Sequence, residues 1–228
     1  MNKTIVVVGA SRGIGCEMVK QFAKQDGSRV IALSRDIDKM NSLFHSYSNV
    51  TCIKLDLNST ELKSECDEIF KNLERIDILV NNAGKLVNKP FIELTHRDFT
   101  ESYQTNVIGL MEVTQAAVKK MRSAHIVNIS SIGGFQGSLK FPGLTAYSTS
   151  KAALVSFTEL FSEEYKGSEI RMNCLCLGAV QTEMLEEAFP GYEAPVSASK
   201  MAEYIVGFSL TADQWMNGKI IPVSTSNP

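Results

Sequence analysis

Apolar residues follow two spacings along the chain, and the two spacings alternate. Short runs dominated by valine, isoleucine and leucine are typical of strands that are buried on both faces. They predict strands at residues 4–8, 29–34, 50–55, 76–80, 125–130, 171–175 and 219–223. Between these runs, apolar residues recur every three or four positions. This spacing predicts helices at about residues 15–24, 37–44, 60–73, 98–121, 146–165 and 198–210. Asn58 and Ser59 precede the third helix and predict its N-terminal cap.

This alternation indicates one parallel sheet. Strands that are apolar throughout must be covered on both faces, and the intervening helices supply that cover. A closed barrel of such units needs eight of them and usually about 250 residues, whereas this chain has 228 residues. The expected fold class is therefore α/β, a Rossmann-like doubly wound parallel sheet of about seven strands with helices on both faces. No proline- or glycine-rich linker interrupts the series, so residues 1–228 are expected to form a single domain.

The charge balance argues against some classes of protein. There are 23 Lys and Arg against 25 Asp and Glu, which gives a net charge of −2, and the basic residues are scattered. Binding to nucleic acid or to an anionic membrane usually requires a concentrated basic patch, so neither partner is expected. The apolar runs are too short for a signal-peptide core or a membrane span. A cytoplasmic protein is expected.

The cysteines and histidines do not suggest a metal site. The five cysteines have no repeated spacing, and an odd number argues against a disulfide framework. Cys174 and Cys176 lie on the same face of a predicted strand, where buried thiols are the expected state. The three histidines are far apart in sequence and do not pair with cysteines or carboxylates at the spacing of metal ligands. No metal is therefore expected.

A glycine-rich turn follows the first predicted strand. Its sequence is Gly9-Ala10-Ser11-Arg12-Gly13-Ile14-Gly15, with the spacing GxxxGxG. Glycines at these positions allow a tight strand-to-helix turn and a close approach of the backbone to a pyrophosphate, which the helix N-terminus also attracts. The pattern therefore predicts dinucleotide binding. The alternative is an ordinary turn in which the glycines serve packing alone.

Residues near this turn bear on the choice of dinucleotide. The second predicted strand ends Ser34-Arg35-Asp36. At this position a carboxylate binds a ribose 2′-hydroxyl, whereas arginine accommodates a 2′-phosphate. Arg35 and Arg12 are both suited to forked contact with phosphate, although each alone could be a surface arginine. Together they favour NADP(H) over NAD(H), and Asp36 is the residue that supports the opposite choice.

A second chemical pattern lies near the middle of the chain. Tyr147 and Lys151 are four residues apart on a predicted helix, so they share one face. A nearby ammonium group favours the ionised form of a phenol, which allows proton exchange closer to neutral pH. Upstream, a predicted strand ends in Ser130 and Ser131, at the edge where open α/β sheets bind ligands. A hydroxyl there can bind a substrate oxygen, or it can simply bond its own turn.

The order and spacing of these motifs resemble the short-chain dehydrogenase/reductase family in its short, single-domain form. The resemblance covers the chain from about residue 6 to residue 223. It rests on Gly9-x-x-x-Gly13-x-Gly15, Leu55-Asp56-Leu57, Asn81-Asn82-Ala83-Gly84, Asn106-Val107, Asn128-Ile129-Ser130-Ser131, Tyr147-x-x-x-Lys151 and Gly178-Ala179-Val180-x-Thr182.

The resemblance implies roles for the matching residues. Tyr147 is expected to be the acid/base, and Lys151 to lower the pKa of that tyrosine and to hold the nicotinamide ribose. Ser131 is expected to orient the substrate carbonyl, with Ser130 the second choice, and Asn106 to anchor a water that supplies protons through Lys151. With the two arginines, the expected cofactor-binding residues are Gly9, Ser11, Arg12, Gly13, Ile14, Gly15, Arg35, Asp56, Leu57, Asn82, Ala83, Gly84, Tyr147, Lys151, Gly178, Val180 and Thr182.

Some of these residues have more specific implied contacts. Asp56 is expected to hydrogen-bond the adenine, Asn82 to contact ribose and stabilise the sheet, and Thr182 with the backbone of Val180 to hold the carboxamide. Taken singly, Asp56, Asn82 and Asn106 would instead suggest structural caps or turns.

The activity implied is NADPH-dependent hydride transfer between the nicotinamide and a ketone or secondary alcohol. The family includes general carbonyl reductases and reductases of 3-oxoacyl thioesters on acyl carrier protein, and no residue identifies the substrate. The alternative is a dinucleotide-binding regulatory protein of the same fold with little turnover. Helices 98–121 and 146–165 correspond to those through which relatives form a homodimer or homotetramer, and the same is expected here.

Residues around the expected substrate site suggest its shape. The segment at about residues 183–198 is a short lid, which implies an open or small pocket. Its apolar side chains can line that pocket or pack on the edge of the sheet; they are Met184, Leu185, Phe189 and Tyr192. The loop 135–144 is expected to shape the mouth of the site.

Overall fold

The apolar runs form one parallel sheet. The computed structural model describes residues 3–225. The strands are, in chain order, β1 (Lys3–Val8), β2 (Ser28–Ser34), β3 (Val50–Lys54), β4 (Ile78–Asn81), β5 (Ser123–Ser131), β6 (Glu169–Leu177), β7 (Val180–Gln181), β8 (Val196–Ser197) and β9 (Ile220–Val223). Seven of them pair in the order β3-β2-β1-β4-β5-β6-β9, and every pair is parallel. Each predicted strand is confirmed, with its ends displaced by at most two residues.

Helices cover both faces of this sheet. They are α1 (Gly13–Ala23), α2 (Ile37–Phe44), α3 (Leu62–Lys71), α4 (His96–Tyr103), α5 (Gly109–Val118), α6 (Thr145–Glu164), α7 (Glu183–Ala188) and α8 (Ala198–Thr211). The strand order reverses between β1 and β4, because the chain first builds outward to β3 and then returns to the other side of β1. This is the predicted doubly wound, Rossmann-like sheet.

The two faces of the sheet carry separate apolar cores. Alternate residues of a strand point to opposite faces, and in β1 Ile5 and Val7 join one core while Val6 and Val8 join the other. The first core contains buried residues of α1, α2 and α8, and the second contains those of α3, α5 and α6. Burial on both faces explains why the strands read as continuous apolar runs. None of the helices within residues 3–225 has the length and apolar character needed to cross a membrane.

The prediction of one continuous helix at 98–121 is wrong. The chain forms α4, then a π-helical turn at Gln104–Ile108, then α5. Thr95 and Asp98 form a capping box that starts α4 at His96. The Gln104 side chain donates to the carbonyl of Leu57 at 2.9 Å. The wider turn also carries Asn106, and such turns often occur at functional sites.

Two further details differ from the predictions. Helix α3 begins at Leu62, because Ser59 closes a turn instead of capping the helix: its hydroxyl accepts from the Glu61 amide at 3.2 Å and donates to Glu65 at 2.6 Å. Strands β7 and β8 pair with each other and enclose α7 between them along the chain. They were not predicted, because two residues are too few to show a period of two.

The cysteine side chains are free thiols, and most of them are buried, as the sequence predicts. Cys16, Cys66, Cys174 and Cys176 are buried and Cys52 is partly buried, and all five are free. Burial raises the pKa of Cys66 to about 12, so this thiol is protonated near neutral pH.

Candidate active site

A cavity of about 1120 Å³ opens at the carboxyl ends of the parallel strands. This edge of the sheet lies at the reversal of strand order, where open α/β sheets bind ligands. The predicted site residues that line the cavity are Gly9, Ser11, Arg12, Gly13, Ile14, Arg35, Asp56, Leu57, Asn82, Ala83, Gly84, Ser131, Tyr147, Lys151, Gly178, Val180 and Thr182. The predicted residues that lie behind the lining are Gly15 and Asn106. Both of these are buried.

The glycine-rich turn brings the backbone close to the cavity. Gly9 has a φ of +86°, and a Cβ added there would lie 2.6 Å from the Cα of Ala83. A Cβ on Gly15 would lie 2.0 Å from the carbonyl oxygen of Gly9. Neither position therefore accepts a side chain without a backbone shift. Among the described residues, no side chain caps the start of α1, and amide groups at such an uncapped helix start are suited to an anion.

The end of β4 ties this turn to the neighbouring strand. The Asn82 side chain donates to the Gly9 carbonyl at 3.0 Å, which is the stabilising contact expected of it. Asp56 accepts from the Asn58 amide at 3.0 Å and shapes its own turn. Both residues line the cavity, so their structural contacts and their expected place beside a nucleotide are compatible.

The two arginines differ in their surroundings. Arg35 is exposed at the end of β2 and lines the cavity. Arg12 forms a forked ion pair with Glu187 of α7; its Nη2 donates to Oε2 at 3.2 Å. Asp36, the residue that supported NAD(H), caps α2 by accepting from the Lys39 amide at 3.0 Å. That capping role gives Asp36 a structural reason to be present.

Tyr147 and Lys151 lie near the start of α6 and reach the floor of the cavity. Lys151 is only 3% exposed, and its Nζ donates to the Ile129 carbonyl at 2.8 Å. Burial lowers the pKa of Lys151 to about 8. Burial raises the pKa of Tyr147, and a hydrogen bond with Ser131 opposes that shift. The net direction for Tyr147 is upward because burial outweighs the Ser131 hydrogen bond. The Lys151 Nζ binds a backbone carbonyl and lies 6.0 Å from the ring centroid, and its effect on the Tyr147 pKa stays a prediction.

The two serines at the end of β5 have different partners. The Ser130 hydroxyl is buried and donates to the carbonyl of Lys151 at 2.8 Å, which fixes α6 against the strand. The Ser131 hydroxyl accepts from the Gly133 amide at 3.2 Å, so it does bond its own turn, and it also bonds Tyr147. The Ser131 hydroxyl lines the cavity together with the tyrosine, whereas that of Ser130 is taken up by the Lys151 carbonyl, so Ser131 is the better placed of the two for a substrate oxygen.

Asn106 is held in place by three contacts. Its Nδ2 donates to the Lys85 carbonyl at 2.9 Å and to the Ser150 hydroxyl at 2.8 Å, and its Oδ1 accepts from the Lys85 amide at 2.6 Å. It lies close to the lysine, because a Cβ on Gly84 would be 3.5 Å from its Oδ1 and 3.4 Å from Lys151 Nζ. Asn106 therefore fixes the loop after β4 beside Lys151.

The lid covers the cavity from the other side. Thr182 caps α7, its hydroxyl accepting from the Leu185 amide at 3.3 Å. Of the two alternatives for the apolar lid residues, the pocket is confirmed: the cavity is lined by Met184, Leu185, Phe189 and Tyr192. Phe141 and Leu144 line it from the loop at 135–144, as predicted. The Asn88 side chain donates to the Ala188 carbonyl at 2.9 Å and ties the lid to the loop after β4.

Sequence reasoning missed several residues of this site. Ser150, Asn88 and Glu187 each make a contact with a residue at least 44 positions away. No local motif marks them, and only the fold brings these pairs together. Residues 3–225 contain no group of three or more histidine, cysteine or acidic side chains arranged to hold a metal ion.

Comparison with known proteins gives the family. The model of the short chain dehydrogenase family matches residues 3–193. The chain belongs to this family, and it is an oxidoreductase.

Similar proteins extend over most of the chain. A 3-oxoacyl-(acyl-carrier-protein) reductase FabG of Chlamydia trachomatis is 31% identical over 196 residues, which cover 81% of this chain and 76% of that protein. A reductase of the same name from Aquifex aeolicus is 29% identical, with 97% of this chain and 96% of that protein covered. The solved structure of ElxO with NADP bound has a TM-score of 0.85 and 26% identity, with 98% of each chain covered.

Proposed function

We propose that the protein is an NADPH-dependent reductase of ketones, with Tyr147 as the proton donor. The observation that carries the proposal is the convergence of Ser131, Tyr147 and Lys151 on the cavity that the glycine-rich turn also lines. The tight turn at Gly9 and Gly15, together with the uncapped start of α1, fits a dinucleotide pyrophosphate. A relative of similar structure, ElxO, holds NADP.

The choice of NADP(H) rests on basic residues near the turn. Arg35 lies exposed at the end of β2, where a nucleotide of this fold places its adenosine ribose. Arg12 lines the same cavity. A 2′-phosphate would gain forked contacts from these guanidinium groups. Asp36 does not oppose this choice, since its carboxylate caps α2.

The bound nicotinamide supplies the hydride, and the chain's own residues handle the proton. The Tyr147 hydroxyl donates its proton to the carbonyl oxygen, so the C=O group becomes CH–OH. The Ser131 hydroxyl donates a hydrogen bond to the same oxygen and holds the carbonyl beside the phenol. The raised pKa of Tyr147 keeps the phenol protonated near neutral pH, which suits the direction of reduction. The tyrosinate that remains regains a proton from solvent.

Lys151 and Asn106 support this step. The Lys151 ammonium, with a pKa of about 8, is mostly protonated at neutral pH and stabilises the tyrosinate as it forms. Asn106 holds the backbone at Lys85 beside it. We propose that this side of the cavity is the route by which Tyr147 is reprotonated.

The substrate class proposed is a 3-oxoacyl thioester or a similar ketone with an apolar chain. Two similar proteins carry the name of a 3-oxoacyl-(acyl-carrier-protein) reductase. The cavity that Tyr147 lines also has an apolar wall, formed by Phe141, Leu144, Met184, Leu185, Phe189 and Tyr192. Such a wall suits an acyl chain better than a sugar.

A panel of carbonyl compounds, with NADPH consumption as the readout, tests the proposal. It should include 3-oxoacyl thioesters of increasing chain length, simple ketones and sugars. The highest kcat/KM is expected for a 3-oxoacyl thioester. A preference for sugars would contradict the substrate class, and no turnover across the panel would contradict the proposed activity.

The chain is also proposed to act as one domain and to form a homodimer or homotetramer. Leu160 on α6 is 68% exposed and Ile108 in the turn before α5 is 44% exposed. Exposed aliphatic side chains on long helices are suited to contact between copies. The oligomeric state is measurable by light scattering on the purified protein.

A further inference from the structure

Two carboxylates of the lid helix face the glycine-rich turn. Glu183 and Glu187 are four residues apart on α7, so they lie on one face of the helix. Glu187 accepts from both terminal nitrogens of the Arg12 guanidinium. Glu183 lies against the first residue of α1, because a Cβ on Gly13 would be 3.5 Å from its Oε2. The acidic face of α7 thus rests on the turn that the site offers to anions.

The position of these carboxylates is informative. The start of α1 carries partial positive charge from its unpaired amide groups, and Arg12 adds a full charge there. Under the proposed function, the cofactor's phosphates bind at this place. The negatively charged Glu183 and Glu187 would then lie next to negatively charged phosphates. The pKa of Glu187 is lowered, first by its hydrogen bond with Arg12 and also by the charge of Lys39, so this residue is charged near neutral pH.

We propose that Glu187 determines cofactor specificity by competing with the 2′-phosphate of NADPH for Arg12. In the free protein the ion pair between Glu187 and Arg12 holds α7 against the glycine-rich turn, and we call this ion pair the latch. NADPH replaces the carboxylate with a phosphate and releases this latch. NADH has a hydroxyl at the same place and leaves the ion pair intact. This inference rests on the proposed function, since it takes NADP(H) as the cofactor.

The strengths of the two contacts make the exchange feasible. The ion pair is exposed, with the side chains of Arg12 and Glu187 40% and 61% accessible, and exposed ion pairs are weak. A phosphate carries more charge than a carboxylate and has more acceptor oxygens for the same fork. The lid does not depend on the latch alone, because the Asn88 side chain also holds the Ala188 carbonyl.

The test measures the Kd of NADPH and of NADH by calorimetry for single and double variants of the full chain. Glu187→Gln should lower the Kd of NADPH by about threefold, which corresponds to the strength of a weak exposed ion pair. The Kd of NADH should not change. Arg12→Ala should weaken NADPH more than NADH. In the Arg12→Ala background, Glu187→Gln should have no effect, since its partner is gone. Glu193→Gln removes the same charge from an exposed lid residue outside α7 and should change neither Kd.

The outcomes separate this inference from the proposed function. If Arg12→Ala selectively weakens NADPH but Glu187→Gln changes nothing, the competition is overturned and the choice of NADP(H) stands. Equal tightening of both nucleotides in Glu187→Gln, or the same gain in Glu193→Gln, also overturns it, because the effect is then one of net charge. If Arg12→Ala raises the Kd of both nucleotides equally, Arg12 does not bind the 2′-phosphate, and the inference is wrong.

Discussion

The Lys151 ammonium nitrogen donates to the carbonyl oxygen of Ile129 at 2.8 Å and lies 6.0 Å from the centroid of the Tyr147 ring. The two side chains are thus neighbours on one helix face without a direct hydrogen bond. Burial moves their pKa values in opposite directions, down for Lys151 and up for Tyr147, because it disfavours the charged form of each. Near neutral pH this leaves a protonated phenol beside an ammonium group, the pair that the proposed carbonyl reduction requires.

The pKa of Lys151 predicts a pH dependence. As pH rises through about 8, the ammonium loses its charge and no longer stabilises the tyrosinate. The kcat/KM for carbonyl reduction should therefore be level below this pH and fall by up to about tenfold per pH unit above it. The measurement is a profile of kcat/KM from pH 6 to pH 10 in buffers of constant ionic strength.

Two variants test whether Lys151 is the group responsible. Lys151→Arg keeps its charge at every pH of the profile, so the fall near pH 8 should disappear even though turnover is lower. Lys140→Arg changes a lysine that bonds backbone carbonyls on the loop at 135–144, and it should keep the fall. The same fall in Lys151→Arg would show that another group titrates.

Arg35 should discriminate between the two dinucleotides. Arg35→Ala removes a guanidinium from the end of β2 and should raise the Kd of NADPH by about tenfold, which corresponds to the loss of a charge-assisted hydrogen bond. The Kd of NADH should change little. Arg29→Ala removes the same charge from an exposed position in the same strand and is the matched control. Equal losses for NADPH and NADH in Arg35→Ala would remove the phosphate-binding role of this residue.

A buried histidine away from the site should make stability depend on pH. His125 is 1% exposed and lies between the Ser209 carbonyl, 3.0 Å from Nδ1, and the Asn173 side chain, 3.0 Å from Nε2. Burial lowers its pKa in the folded state, although the Ser209 carbonyl opposes the shift. The folded state therefore binds fewer protons than the unfolded state, whose histidine titrates near 6.5.

The sign of this dependence follows directly. The stability that His125 contributes is fully present above about pH 6.5 and is lost as pH falls through its lower folded-state pKa, with a slope of up to about 1.4 kcal/mol per pH unit. Denaturant titrations at several pH values measure it. His125→Gln keeps a donor and an acceptor and should reduce the slope, whereas His45→Gln, at an exposed position, should not. An unchanged slope in His125→Gln would contradict the assignment.

The sequence predicted the parts of this structure that depend on local pattern. The strands follow from apolar runs that are buried on both faces, and the strand-to-helix turn follows from the spacing of Gly9, Gly13 and Gly15. Tyr147 and Lys151 were found because four residues make one turn of a helix. All of these signals lie within a few residues of each other.

Features that depend on distant pairs were not predictable in the same way. The π-helical turn at Gln104–Ile108 arises where Gln104 and Asn106 bond segments 47 and 21 residues away, and the local pattern there is helical. The pair of Arg12 and Glu187 spans 175 residues. The direction of the Tyr147 pKa shift depends on the burial of its side chain, which the motif alone does not show.

The most direct test of the account compares Tyr147→Phe with the unaltered protein in two measurements, kcat/KM for reduction of a 3-oxoacyl thioester and the Kd of NADPH. Removing the phenolic hydroxyl removes the proton donor and leaves the ring in place. We expect a loss of about a hundredfold or more in kcat/KM, with the Kd of NADPH changed by less than about threefold. Unchanged turnover in Tyr147→Phe would contradict it.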